Sequence, residues 1–401
     1  MADRRSPIYL IFLTVFIDLV GFGIVIPVLP LYARDFGASV TVNGWLVGIY
    51  SAMQFLSGPI LGKISDRIGR RPVLLVSLIG TAVGFFIMGA AQTLLWLFIA
   101  RIIDGISGGN IATAQAYIAD ITKPEERSKA MGLIGAAFGL GFIFGPAIGG
   151  VMTHISNSAP FYLAGVLAAI NALLVYLRLP ESLSLEHRVQ PQEVAPLKEV
   201  FRHGWHLPAL MASYFLAIAG FSMMTTNYAL FTSERFGYDA KHNGYIFAFI
   251  GLVGALVQGG LLRRIVTPLN ERAIAIGGCV LLMVGLILLP LSSGLATLLL
   301  FSAFVGIGNS FITPTLNGLA SRSAERSWQG RVIGLMQSAG SLGRWAGPFL
   351  AGWLLSRDVG RPIDHYGRTP FWAAAAVVVG ALVCTLLIPA KPVTVNESAG
   401  M

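Results

Sequence analysis

The chain has 401 residues, of which 55% are hydrophobic and only 12% charged, with a net charge of +9 and a mean hydropathy of +0.72. A soluble protein carries about 25% charged residues, so this composition excludes a sizeable soluble domain and points to a polytopic membrane protein. The positive balance does not mark a nucleic-acid binder, because the cations lie in short stretches between apolar runs and not along one face.

Twelve apolar runs follow one another, near 8–31, 44–63, 73–91, 94–118, 129–152, 160–179, 208–232, 244–264, 272–291, 296–320, 331–355 and 370–389. Each is long enough to cross about 30 Å of hydrocarbon as a helix. This predicts an all-α protein of twelve membrane-spanning helices. With a cytoplasmic N-terminus, the inner connections hold twenty Lys and Arg and the outer ones six. That bias predicts a multi-pass protein of the cell (inner) membrane with both termini in the cytoplasm. Met1–Pro7 is charged and short and leads into a run too long for a signal peptide core, so no cleaved leader is expected. The polar stretch 180–207, with Pro191 and Pro196, reads as a cytoplasmic linker between halves at 1–179 and 208–401.

In the first run, Asp18 falls about 15 Å from the cytoplasmic end, near midplane. A carboxyl at that depth is either a proton carrier or a group bonded to backbone. The next connection, Gly62-Lys63-Ile64-Ser65-Asp66-Arg67-Ile68-Gly69-Arg70-Arg71-Pro72, sets one acid among four cations. Gly62 and Gly69 would let the chain turn sharply. Asp66 and Arg70, four apart, would face each other. In the fourth run, Arg101 and Asp104 sit about 10 and 15 Å deep and can pair on one helix face. Asp120 at its inner end could meet Arg70 or Arg127 beneath the membrane. Gly141, Gly145 and Pro146 in the fifth run give a small-residue face with a bend, suited to close helix packing. Arg344 in the eleventh run lies about 20 Å from the cytoplasmic side, too deep to reach it easily. Its options are a pair with Asp18 or Asp104, an anionic group on a substrate, or a tie to backbone carbonyls.

Tyr50, Gln54, Asn110, Gln115, Asn227, Gln258, Asn309, Asn317 and Gln337 are the other polar residues within the runs, where interhelical hydrogen bonding explains any one of them. Cys279 and Cys384 sit inside runs and read as inert core thiols, with neither a disulfide nor a metal site. No cofactor is expected. An enzyme would want a motif such as HExxH, which is absent, or GxSxG at a strand-to-helix turn, whereas the match at Gly105-Ile106-Ser107-Gly108-Gly109 falls inside an apolar helical run. A channel would want symmetric pore rings rather than a two-part repeat.

The halves do repeat. Gly132, Gly141, Gly145-Pro146 and Gly150 recur 202 positions later as Gly334, Gly343, Gly347-Pro348 and Gly352, and Gly105 recurs 201 positions later as Gly306. Near-constant offsets predict two pseudo-symmetric six-helix bundles related by an axis along the membrane normal. In the second copy of the 62–72 loop, Arg263 stands where Asp66 would, so the acid that could make a switch is expected only in the first half.

The 62–72 pattern resembles the loop between helices 2 and 3 of major facilitator superfamily transporters. Leu97–Gly109 and Gly141–Gly150 resemble that family's fourth-helix motif and the fifth-helix motif of its proton antiporters. Phe16–Pro30 closely resembles the first helix of the tetracycline/proton antiporter group, and the resemblance covers the whole chain, most strongly 14–150. It implies a monomeric secondary transporter that exports a small amphipathic, drug-like compound in exchange for protons by alternating access. Import of a small organic anion on the same fold is the alternative. Asp18, Asp104 and Arg101 would then couple protons. Arg344, Tyr50, Gln54, Asn110, Gln115, Asn227, Asn309 and Gln337 would face substrate, bound at midplane between the halves. Gly62, Asp66, Arg67, Gly69, Arg70, Asp120, Arg127, Gly141, Gly145 and Pro146 would gate. The chain departs from the group at Gly84, where a helix-3 aspartate is expected, in the acid-free stretch Ala273–Leu291, and at Gln258, where helix 8 has no histidine. These departures bear on tetracycline–metal export and not on the scaffold.

Overall fold

The computed structural model describes residues 5–122, 124–183, 206–267, 270–323 and 329–389. Most of the 180–207 linker and both termini lie outside the described residues. The helices are α1 Arg5–Asp35, α2 Val40–Ile68, α3 Arg70–Gly89, α4 Leu94–Ser107, α5 Asn110–Ile121, α6 Pro124–Met152 and α7 Ala159–Arg178. They continue with α8 His206–Phe236, α9 Ala240–Leu256, α10 Leu262–Ile265, α11 Glu271–Leu288, α12 Leu295–Arg322, α13 Gln329–Leu355 and α14 Arg368–Leu386. The α4–α5 pair makes one crossing, and so do α9 and α10, joined by a π-turn at Val257–Leu261. Counted this way there are twelve crossings, as the apolar runs predict.

Ten of these crossings are long and apolar enough to span a membrane. The two that fall short are α2 and α13. Both carry several polar or charged side chains, α2 with Asn43, Tyr50, Gln54 and Asp66 and α13 with Gln337, Ser341 and Arg344. Polar residues at membrane depth belong on surfaces that line protein or water rather than lipid.

The chain divides into two compact units. The first holds Met1–Gln192 with Tyr228–Ser233 and Gly237–Leu252; the second holds the rest. Residues 228–233 of α8 and most of α9 therefore belong with the first unit, joined to each other by Thr232 donating to Asn243 at 2.6 Å.

Within the first unit, α1 and α6 approach at backbone distance. A Cβ at Gly145 would stand 2.7 Å from Gly23 Cα, and one at Gly141 would stand 2.6 Å from the Leu19 side chain. Such approach lets dispersion and Cα–H contacts act between helices where no hydrophobic drive exists. The second unit repeats it. A Cβ at Gly343 would meet Phe215 O at 2.7 Å and one at Gly347 Ala219 O at 2.6 Å, so α13 lies on α8 as α6 lies on α1.

Three expectations change. The 62–72 stretch is mostly helix: α2 runs on to Ile68 and α3 starts at Arg70, so the turn is Gly69 alone, at φ 114°. Gly62 is a helical residue of α2 with open space beside it, not a turn. The fourth run is not one helix, because it breaks at Gly108–Gly109 and extends to Ile121, which brings Asp120 into α5.

Replacing Gly145 with Val is expected to abolish the folded fraction, since overpacking against backbone costs about 1–3 kcal/mol or more. Gly135→Val, with nothing within 4 Å of the added carbon, should retain it. Size-exclusion profiles of detergent-solubilised protein test both.

Candidate functional site

The polar interior of the first unit is built where α4 breaks. Without side chains at 108 and 109, α2 comes close: a Cβ at Gly108 would sit 2.9 Å from the Tyr50 hydroxyl and 3.0 Å from Gln54 Nε2. At the break, side chains of α2 reach the carbonyls of the crossing. Gln54 Nε2 donates to Gly108 O at 2.8 Å, and Ser57 Oγ to Gly105 O at 3.4 Å. Non-helical backbone at this depth persists only where side chains take up the freed groups.

One turn before the break, Arg101 and Asp104 are both buried and pair at 3.1 Å. The guanidinium also lies over the Tyr50 ring, 4.4 Å from its centroid, and its Nε reaches Leu46 O at 3.5 Å. A buried ion pair is held only if its remaining valences are met, and a cation–π contact and a backbone carbonyl meet Arg101's. Gly84 explains itself here. A Cβ on it would lie 3.0 Å from Asp104 Cβ and 3.1 Å from Ala100 O. With α3 pressed so close to α4, an aspartate at 84 has no room, and Asp104 supplies the carboxylate instead.

Asp18 on α1 is half-buried and lies beside the side chain of Asn110, which is itself buried at the start of α5. One turn along α1, Phe22 packs against Tyr50 and Phe142, with centroids 5.7 and 6.1 Å away. The structure thus links Tyr50, Gln54, Arg101 and Asp104 by direct contacts, sets Asp18 and Asn110 near them, and adds an aromatic wall the sequence reading did not name. Gln115 lies on α5 beyond it and is half-buried.

In the second unit the expected residues are less connected. Arg344 donates to Ser341 Oγ at 3.0 Å, and among the described residues of that unit no acid pairs with it. Trp345 beside it is exposed. Asn227 is fully buried and donates to Ala351 O at 2.8 Å, an interhelical tie between α8 and α13. Asn309 and Gln337 are half-buried, and the Asn309 Oδ1 has no hydrogen-bond partner among the described residues. Gln258 lies in the π-turn beside a groove of about 270 Å³ lined also by Leu262, Val266, Pro314 and Thr315.

A second cluster joins the end of α2, the start of α3 and the end of α5. Arg70 Nη1 meets Asp66 Oδ1 at 2.6 Å and Ser65 Oγ at 2.7 Å, and Arg70 Nε meets Asp120 Oδ2 at 3.1 Å. The Asp66 side chain is 63% exposed, so that contact alone contributes little. The Arg70–Asp120 contact, at 11% and 21%, is better shielded. Arg67 points to solvent, and the side chain of Arg127 lies outside the described residues.

Sequence reading missed the linker's part in this cluster. Gly69 offers α3 no side-chain cap; Glu181 does, accepting from the Arg70 and Arg71 backbone N–H groups at 2.9 and 3.2 Å. Ser182 Oγ donates to Asp120 Oδ2 at 3.0 Å, and Tyr117 to Pro180 O at 2.8 Å. The only signal was an acid in the first residues of a polar linker, with nothing local to say that it caps a helix 111 residues away.

Asp66→Asn is expected to leave insertion and expression intact and slow transport, by about tenfold if it removes ~1.4 kcal/mol of bias between gate states. Glu181→Gln, which weakens a helix cap worth about 1 kcal/mol, should lower thermal stability as well. Transport at wild-type rates by Asp66→Asn in reconstituted vesicles would reduce the cluster to topology.

The chain matches the Major Facilitator Superfamily profile over residues 11–348 and 271–400. It is 33% identical to the class C tetracycline resistance protein of Escherichia coli over 94% of each chain. It is 30% identical to multidrug resistance protein 2 of Bacillus subtilis, over 100% of this chain and 98% of that one. Among solved structures it is similar to the human organic anion transporter MFSD10 (TETRAN), with a TM-score of 0.73 and 26% identity over 96% of this chain and 100% of that one. A bacterial Spinster homologue in an inward-facing, occupied state shares the fold, with a TM-score of 0.76 at 15% identity. On sequence over its whole length, and with the helical architecture described above, the chain belongs to the Major Facilitator Superfamily.

Proposed function

We propose that this protein exports a small amphipathic compound across the cell membrane in exchange for protons, by alternating access. One observation carries the reading: a half-buried carboxyl, Asp18, in the middle of α1, beside Asn110 and neighboured by the buried Arg101–Asp104 pair. Ionisable groups at this depth are costly and are retained where they work. Asp18 differs from Asp104 in keeping part of its surface open while lacking a cationic partner among the described residues of its unit. It is the acid able to take up a proton when substrate leaves and release it when substrate returns. Asp104, held by Arg101, keeps the break in the α4–α5 crossing and its freed carbonyls in place around it.

Phe22, Phe142 and Tyr50 offer an apolar wall for the body of an amphipathic substrate, with Gln54 and Asn110 as polar points of contact. Relatives named for tetracycline and multidrug resistance favour export over import. Both termini are placed in the cytoplasm and the working unit is a monomer.

Arg344 refines the substrate class. Its repeat mate is Phe142, so the fold does not require a cation there. A planar, permanently charged guanidinium with one hydroxyl contact suits a carboxylate, so the preferred substrates carry an acidic or zwitterionic group. A relative that is an organic anion transporter is consistent with this.

In everted vesicles with an imposed proton gradient, adding a substrate should dissipate ΔpH. Asp18→Asn is expected to abolish uphill transport while downhill exchange stays measurable; uphill transport at wild-type rates in both Asp18→Asn and Asp104→Asn would refute proton coupling by these acids. Arg344→Ala should weaken binding of anionic substrates by roughly tenfold or more, the loss of about 1.5–3 kcal/mol for a charged hydrogen bond, and Arg344→Lys should recover only part of it. Equal affinities of wild type and Arg344→Ala for every anionic substrate tested would leave Arg344 as scaffold.

A further inference from the structure

The two units carry ion pairs at repeat-related positions of their inner ends, with the charges exchanged. In the first unit the pair is Arg70 with Asp120; 201 and 202 positions later stand Glu271 and Arg322, and these two also pair. Arg263 still stands where Asp66 would, but the second half does hold an acid nearby, at the position that answers to Arg70. The flanking arginines keep their sign. Arg71 Nη2 donates to Tyr176 O near the end of α7 at 2.6 Å, and Arg272 Nη2 to Leu386 O at the end of α14 at 2.7 Å. The repeat holds the same helix ends together in both units and inverts only the paired charges.

The inversion matters because of where each charge sits on its helix. A helix N-terminus favours an anion and a C-terminus a cation. Glu271 is the first residue of α11 and Arg322 the last of α12, so both charges agree with their helix ends. Arg70 is the first residue of α3, and Asp120 lies in the last turn of α5, so both oppose theirs. The anion that the α3 N-terminus calls for comes from Glu181 instead.

The alternative partners differ in the same direction. If Arg70 and Asp120 separate, Arg70 keeps Asp66 and Ser65, and Asp120 keeps Ser182. If Glu271 and Arg322 separate, a buried carboxylate is stranded. The Glu271 side chain is 7% exposed, its Oε2 already has no hydrogen-bond partner, and Arg322 is its ion-pair partner among the described residues. Arg322 itself is 37% exposed, more than Arg70 or Asp120, so the cost falls on the acid: stranding a buried carboxylate is far costlier than losing one contact of a shared network. Gly318 makes room for this carboxylate, since a Cβ there would stand 2.7 Å from Glu271 Oε1.

We propose that Glu271–Arg322 is a permanent clasp that never opens in the transport cycle, while Arg70–Asp120 is the pair that releases, and that charge polarity against the helix ends and the supply of second partners set this division. Each unit thus has the same inner tie, built rigid in one and releasable in the other.

Hydrogen exchange on the full chain in lipid nanodiscs, at acidic and at alkaline pH and corrected for intrinsic rates, tests this. Uptake in peptides covering 62–72 and 115–122 is expected to differ between the two conditions by about twofold or more, and uptake over 271–278 and 316–323 to be the same in both. Equal changes at the two pairs, or no change at either, would overturn the division. Arg322→Gln should lose most of the folded yield, whereas Arg70→Gln keeps it. The charge swap Glu271→Arg with Arg322→Glu retains a pair but sets each charge against its helix end. It should fold and make exchange over 271–278 pH-dependent. A swapped protein as protected as wild type in both conditions would show that polarity carries no weight.

Discussion

Arg101 and Asp104 lie fully inside the first unit, 3.1 Å apart, in a medium that screens charge poorly. Their neighbourhood follows from the need to satisfy them. Tyr50 must present its ring to the guanidinium, so α2 has to cross α4 at that level, and it can do so because Gly105 and Gly108 have no side chains. Gly84 must stay bare for α3 to lie against Asp104. The crossing then breaks at the next turn, where Gln54 and Ser57 donate to the Gly108 and Gly105 carbonyls. Asp18 and its Asn110 contact stand at the edge of this arrangement, the one carboxyl of the cluster with surface left open. A charge pair that cannot be solvated thus sets helix contacts, helix break and candidate proton site together.

The inner ends show the complementary situation, where water is near and no single contact is decisive. The Arg70 network works through number. One guanidinium is shared among Asp66, Ser65 and Asp120, and the start of the linker adds Glu181 and Ser182. Such a shared network can lose one contact at small cost. In the second unit a single buried carboxylate, Glu271, depends on one half-exposed arginine, Arg322. Glycine packing at α1–α6 and α8–α13 lets each unit behave as a body around these ties.

The departures from the tetracycline group also become physical. At Gly84 the missing acid is explained by lack of room, and the stretch Ala273–Leu291 stays free of acid in the structure as in the sequence. The acid of α11 sits one step outside that stretch, at Glu271, where it serves an inner tie rather than the membrane interior.

Sequence alone determined the number of crossings and the twofold repeat, because hydrophobic length and glycine spacing are local, periodic properties. It also marked the chemistry-bearing residues Asp18, Arg101, Asp104, Asp66, Arg70 and Asp120, since a charge within or beside an apolar run is conspicuous against its background. Three things were decided only by tertiary structure. The helix break at Gly108–Gly109 depends on side chains of α2 to receive its carbonyls. Glu181 caps a helix 111 residues away. Glu271 finds Arg322 across two helices, 51 residues along the chain. Each depends on a partner distant in sequence, and periodicity carries no information about which distant groups will meet. That is settled by packing, under the rule that a polar group removed from water must find a partner.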